Sequence, residues 1–241
     1  MMNKIDNQMR DELMAIMLAK SSRFNRFSVH CKVATWELTV LISYAIKRIF
    51  DTIASFILLL LFTPLYVITA IFIYVESPGP VFYTQKRVGI NGRLFNFYKF
   101  RSMVMNAETI KDSLLDQNES QNGVIFKIKN DPRVTKTGKI IRKLSIDELP
   151  QLYNVLIGNM SLVGPRPPLP REVCEYSLEE RKRLHVIPGI TCIWQVSGRS
   201  DIPFNEQVQL DKEYIKSKSI LKDLWILLIT IPAVITGKGA Y

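Results

Sequence analysis

Lys47–Glu76 reads KRIFDTIASFILLLLFTPLYVITAIFIYVE, and the reading of this stretch decides that of the whole chain. No charged residue falls between Thr52 and Val75, a length that lets a straight helix cross a hydrocarbon core of roughly 30 Å. Two features argue against a plain crossing. Pro64 lies near the middle, where a missing N–H and a ring clash kink or break a helix and leave two arms too short to span separately. Both flanks are also basic: Lys47 and Arg48 precede the stretch, and Lys86, Arg87, Arg93, Lys99 and Arg101 follow it with no acid between Ser77 and Ala107. Basic residues favour the cytoplasmic side, so a spanning helix would satisfy one flank and offend the other. A helix that enters and leaves by one face satisfies both. The re-entrant reading therefore leads, ahead of a single span and of a buried helix in a soluble core.

Working outward, the 241 residues leave room for one further domain beside the membrane element. The net charge of +10 suits anionic partners. With such an apolar stretch present, lipid headgroups and phosphates are favoured over nucleic acid. Cys31, Cys174 and Cys192 are widely spaced and form no CxxC pair, which fits reduced thiols in a cytosolic setting. The apolar stretch starts well inside the chain and lacks a small-residue cleavage site, which argues against a removable signal. Upstream, Met9–Lys20 and Trp36–Ile46 have helical spacing, with Lys, Arg and Trp placed as an interfacial anchor or on an ordinary surface helix.

Downstream, Ser77-Pro78-Gly79-Pro80 ends the helix. Val81–Gln85 and Leu94–Arg101 read as the strands of a hairpin turned at Gly89–Gly92. Alternation puts Phe95, Phe97, Lys99 and Arg101 on one face, where the two cations either grip a phosphate or simply face water. Ala107–Asn122 is polar and starts as a helix, and Asn130-Asp131-Pro132 marks a turn. Five basic residues then run without an acid from Arg133 to Lys143 into Ser145-Ile146-Asp147-Glu148-Leu149-Pro150.

Ser145 with Glu148 has the spacing of a capping box, so a helix is expected to start there and run through Leu149–Ile157. Asp147 falls in its first turn, where an ionised carboxylate beside cations suits a nucleophile or a metal ligand in a phosphate site. Leu162–Pro168 is a proline-rich loop that presents Arg166. Glu172–His185 and Asn205–Lys216 read as amphipathic helices, with Lys182, Arg183 and His185 at the surface. Leu224–Thr236 is apolar but too short to span, so it lies in the interface or packs on the domain. No GxxxxGK[ST] or GxGxxG occurs. Only His30 and His185 are present, which leaves no histidine zinc site and makes any metal a hard cation on carboxylates, Mg²⁺ first.

The order KRIFD, TP, PGPVFYTQKRVG, FYKFRSM, DPRVTKTGKIIRKLSIDELPQLYNVLIGNMSLVGPRPPLP and PGITCIWQVSGRS closely resembles the bacterial sugar transferase family, the monotopic phosphoglycosyl transferases, in its short catalytic form. The likeness covers about residues 47–241. It implies a mostly helical α/β membrane-associated domain with a re-entrant helix, a small β-hairpin and interfacial amphipathic helices. Residues 1–46 would be an N-terminal amphipathic extension, 47–76 the re-entrant helix broken at Thr63-Pro64, and 77–241 the cytosolic catalytic domain. The implied activity moves sugar-1-phosphate from a UDP-sugar to undecaprenyl phosphate at the cytosolic face of the bacterial inner membrane, with Mg²⁺ and with UMP released.

Its Asp-Glu dyad falls on Asp147 and Glu148, which serve as catalytic groups and as metal ligands. The cationic motifs fall on Lys99, Arg101, Arg142 and Arg166, and Arg87, Arg133, Gln195 and Arg199 are further phosphate or substrate candidates. Membrane lipid is an implied partner, and a homo-oligomer is compatible. Two residues depart from the family pattern: Asn159 stands where an acid is common, and Cys192 where glycine is usual in the PGITG segment. Two other readings stay open. A glycosyltransferase that moves the sugar alone would release UDP, and a basic scaffold would bind nucleic acid in a salt-sensitive way.

Overall fold

The computed structural model describes residues 4–19, 26–111, 128, 131–237 and 239. The chain forms two compact units, Met1–Asp51 and Thr52–Tyr241. In the first, helix α1 (Lys4–Ala19) and the opening turns of α2 (Arg26–Leu61) are linked by an Arg10–Glu37 ion pair at 3.5 Å. The helix expected at Trp36–Ile46 is thus a middle portion of one continuous helix.

The second unit opens with the end of α2, which meets α3 (Thr63–Glu76) across Phe62. No single described helix is long and apolar enough to cross a membrane; the segments Ser28–Leu61 and Thr63–Glu76 meet that length and composition only as a pair, bent by 59°. Pro64 sits in the first turn of α3, where its missing N–H has no helical partner to lose. The Thr63 hydroxyl donates to the Leu59 carbonyl at 3.0 Å beside the bend. Apolar side chains such as Ile57, Leu61, Ile68 and Phe72 face outward from both arms.

After α3, strands β1 (Phe82–Val88) and β2 (Leu94–Phe100) pair antiparallel, with Tyr83 opposite Lys99 and Arg87 opposite Phe95. The hairpin loop turns at Asn91, held at φ 54°. Two helices follow, α4 (Ala107–Lys111) and α5 (Lys136–Lys143); α4 is the helical start expected of the polar stretch 107–122, whose remainder lies outside the described residues. Next come α6 (Gln151–Leu156), β3 (Ser161–Val163), α7 (Pro170–Glu175), β4 (Gly189–Thr191), α8 (Ile193–Ser197), α9 (Phe204–Ser217) and α10 (Ile220–Thr236). Strands β3 and β4 form a short parallel pair.

The core gathers Phe95, Phe97, Leu152, Val155, Met160, Leu162, Val163, Ile193, Tyr214 and Ile226. Leu58 and Leu59 of α2 and Phe62 pack on this cluster. Ile73 of α3 packs with Phe100 and Ile141 in a second cluster. Both arms of the bent pair therefore rest on the domain that carries the dyad. Burying one such side chain contributes about 1.5–3 kcal/mol.

Two expectations are corrected. The helix drawn over Glu172–His185 is broken: α7 ends at Glu175, the backbone turns extended at Tyr176 (φ −71°, ψ 130°), and a separate 3₁₀ segment covers Glu180–His185. The break lets the Tyr176 ring pack on Phe204, with centroids 5.6 Å apart. Arg183, expected at the surface, is buried; it donates to the Tyr176 hydroxyl at 3.1 Å and forms a close ion pair with buried Asp211.

Candidate active site

The site is assembled by five segments. Antiparallel register puts Arg87 and Lys99 on the inward face of the hairpin, and both cations lie over the Phe97 ring, at 5.2 and 5.8 Å from its centroid. Helix α5 carries Arg142 in its last turn, and the chain then reverses through Ser145 at φ 54° into a 3₁₀ turn, Ile146–Glu148. Strand β3 runs into Gly164-Pro165-Arg166, a loop tied to β4 by Gly164 N to Thr191 O at 3.0 Å and Gly189 N to Pro165 O at 3.0 Å. Strand β4 leads through α8, with Gln195, to Arg199, again at φ 54°. Non-glycine residues in this left-handed region cost about 1–3 kcal/mol and collect at functional sites; Ser145 and Arg199 both do so here.

The capping-box expectation at Ser145–Glu148 fails. Ser145 makes no capping bond, and Glu148 points into the site instead. Its Oε1 accepts from Lys99 Nζ and from Arg166 Nη2, each at 2.8 Å, while Lys99 Nζ also reaches Asp147 Oδ2 at 3.2 Å. One lysine thus bridges both carboxylates. Burial alone would raise the Glu148 pKa, but Arg166 and Lys99 overcome it and hold the group well below the usual carboxylate range. Glu148 in turn keeps the half-buried Arg166 firmly charged, against the pull of burial. Burial, helped by repulsion from Arg166, brings Arg87 down to about 10.

All ten residues singled out in the sequence line one cavity of about 980 Å³, but they are engaged differently. Arg142 donates Nε to Ser102 Oγ at 2.9 Å, and Arg87 donates Nη1 to the Pro167 carbonyl at 2.9 Å. The Arg101 guanidinium turns to the Ser77 carbonyl and the Met105 sulfur rather than to Lys99. Arg133 grips Asp131 in a bidentate pair, at 2.9 and 2.6 Å, so its fork is already taken. The Gln195 amide oxygen accepts from the Cys192 thiol at 3.1 Å. Burial raises the Cys192 pKa well above the thiol norm, keeping that donor protonated.

Residues 42–237 match the family described as bacterial sugar transferase. The chain belongs to that family. It is 53% identical over 166 residues to galactosyl transferase CpsE of Streptococcus agalactiae serotype III, covering 68% of this chain and 37% of the relative. The undecaprenyl-phosphate galactose phosphotransferase of Salmonella typhimurium is 43% identical over 199 residues, 81% of this chain and 42% of the relative. The exopolysaccharide production protein ExoY of Rhizobium meliloti is 39% identical over 198 residues, 81% and 88% respectively. The chain thus spans about two fifths of the first two relatives and most of the third.

Neither departure from the family pattern disturbs the cavity. Asn159 lies outside its lining and its N–H closes a turn onto the Asn154 carbonyl at 2.9 Å. Cys192 is extended, at φ −153° and ψ 173°, a conformation that needs no glycine. Two supports were missed in the sequence. Asn154 donates to Asn96 O at 2.7 Å and accepts from Tyr98 N at 3.1 Å, fastening α6 to β2 as an added strand would. Ser102, which holds Arg142, sits in the quoted FRSM segment but carried no local signal of that role.

The donor set also bears on a metal. Among the described residues no group of three or more His, Cys, Asp or Glu side chains could cage an ion. Asp147 and Glu148 beside a cation-lined cavity fit Mg²⁺, which takes one or two carboxylates and shares the rest of its shell with water and substrate phosphates.

Proposed function

We propose that this protein transfers sugar-1-phosphate from a UDP-sugar to undecaprenyl phosphate at the cytosolic face of the bacterial inner membrane, an initiating step of surface polysaccharide assembly. The observation that carries the reading is the Asp147–Lys99–Glu148 bridge inside an arginine-lined cavity. The names of the Salmonella and Rhizobium relatives supply its direction. In this scheme an Asp147 carboxylate oxygen attacks the phosphorus that bears the sugar. The bond from that phosphorus to the UMP oxygen breaks, and UMP leaves with the electron pair. A phosphate oxygen of the lipid then attacks the same phosphorus and frees the Asp147 carboxylate, leaving a diphosphate-linked sugar on the lipid.

The residues divide the work by charge. Lys99 bridges the two carboxylates, and a carboxylate nucleophile has no proton to lose, so it needs no general base. Arg166 and Arg142 offer donors to the diphosphate, where stabilising developing charge supplies most of the catalysis. Asp147 and Glu148 would hold Mg²⁺, which when bound offsets diphosphate charge. The bent α2–α3 pair, in a re-entrant seat with both basic flanks at the cytosolic face, would keep the cavity at the depth of a lipid phosphate.

A panel of UDP-sugars with undecaprenyl phosphate tests the reading. UMP is the expected product, and UDP would mean that the sugar moves alone. With labelled UDP-sugar and no lipid, the protein should acquire a sugar-phosphate label that chases onto added undecaprenyl phosphate. Asp147→Asn should abolish both label and turnover. Wild-type protein that turns over without ever becoming labelled under rapid quench excludes the covalent route.

A further inference from the structure

Glu76 is the last residue of α3 and lies outside the cavity lining, yet it makes a contact that reaches the site. Its Oε1 accepts from Lys136 N at 2.7 Å and its Oε2 from Thr137 N at 2.8 Å. These are the first N–H groups of α5, and the next, on Gly138, donates to Thr135 Oγ1 at 2.9 Å. Two side chains far apart in sequence, Glu76 and Thr135, therefore satisfy the opening of one eight-residue helix. So short a helix is marginal by itself, so its position is set by the contacts at its ends together with the packing of Ile141 on Ile73 and Phe100.

Its other end carries Arg142 and leads directly into the turn of Asp147 and Glu148. The helix is also pressed against the Ser102 backbone at Gly138, where a Cβ would come within 2.0 Å of the Ser102 carbonyl oxygen. Ser102 is the residue whose hydroxyl holds Arg142. A shift of α5 along its axis would therefore move both the guanidinium and its holder.

We propose that Glu76 is a positioning residue. It locks the exit of the bent membrane arm to the start of α5, so that the seating of α3 sets where Arg142 meets the donor's phosphates. The lock depends on two acceptor oxygens: hydrogen bonds from Thr137 hold the Glu76 pKa below the ordinary value, and Gln, with an NH₂ in place of one oxygen, sets a donor against one of the two N–H groups. This inference rests on the proposed donor, so its test uses binding of UDP to the full-length protein in detergent, by calorimetry, rather than turnover.

Wild type should bind UDP, Arg142→Ala should weaken it, and Glu76→Gln should weaken it about threefold to tenfold, the scale of a lost cap. The double variant should bind no more weakly than Arg142→Ala alone, because Glu76 acts through that arginine. Glu76→Asp, which keeps two oxygens, should recover part of the loss, and it stands in if Glu76→Gln does not fold. Additive losses in the double variant, or Glu76→Gln binding as wild type does, overturn this proposal alone. Wild-type protein that ignores UDP overturns the donor assignment and this proposal with it.

Discussion

Glu148 Oε1 is shared by Lys99 and Arg166, so its charge is paired on two sides while its side chain stays 16% exposed. A helix cap would tolerate glutamine in its place, but a carboxylate between two cations would not. Glu148→Gln should leave the protein folded and lower turnover by about a hundredfold or more, the usual effect of removing one preorganised electrostatic contact. Near-normal turnover would return Glu148 to a structural role. The same pairing sets a pH dependence. The folded pKa lies below the unfolded carboxyl value of about 4.3, so the stabilisation is complete above that value and is lost as pH falls through the folded one. Melting curves should show wild type above Glu148→Gln at neutral pH, with the gap narrowing below about pH 4. Arg166→Lys tests the other side of the contact. A lysine keeps the charge but not the planar fork, so turnover should fall by about tenfold or more, a difference of about 1.4 kcal/mol. Wild-type rates would mean that Arg166 acts only as a point charge.

At the scale of the element, α9 and the 3₁₀ segment Glu180–His185 are joined by the buried Arg183–Asp211 pair. Burial pushes the Asp211 carboxyl up to about 6 against the pull of Arg183. Removing one partner of a buried pair leaves an uncompensated charge and costs about 3–5 kcal/mol. Arg183→Ala should therefore lower the melting temperature sharply, and adding Asp211→Asn should recover part of the loss. An unchanged melting temperature would place Arg183 back at the surface, where its Arg-Lys-Arg neighbourhood suggests it belongs. The sequence could not separate Arg183 from Lys182, because burial depended on the break at Tyr176. Capping boxes show the same dependence on context. The Ser145–Glu148 spacing is spurious, whereas Ser177 and Glu180 do exchange reciprocal bonds, at 2.6 and 3.4 Å. What separates them is the company of Lys99 and Arg166, which lies far off in sequence.

For the whole molecule, legibility follows the range of the interaction. The break at Thr63-Pro64, the hairpin with its alternating face, and helix α9 are written in neighbouring residues, and each was readable. The parallel pairing of three-residue strands β3 and β4, the fastening of α6 to β2 by Asn154, and the Glu76 contact with α5 join distant segments. None leaves a periodic trace in the sequence. The gathering of the cations around Asp147 was legible through the family likeness, not through spacing. Membrane topology, by contrast, is a property of the entire charge pattern. The net +10 includes basic residues on both sides of Thr52–Val75, so a single crossing would place one cluster on the disfavoured face. Two native thiols report on the two sides: Cys31 and Cys174 are exposed and Cys192 is buried. Cys174→Ser and Cys31→Ser variants therefore leave one accessible reporter each. In intact cells both reporters should resist a membrane-impermeant maleimide, and both should react once the membrane is opened. Pro64→Leu restores the missing N–H and removes the ring clash, so a straighter, spanning helix becomes accessible and Cys31 should become reactive from outside in part of the population. Cys31 reacting in intact wild-type cells while Cys174 stays shielded would establish a single crossing and overturn the re-entrant assignment.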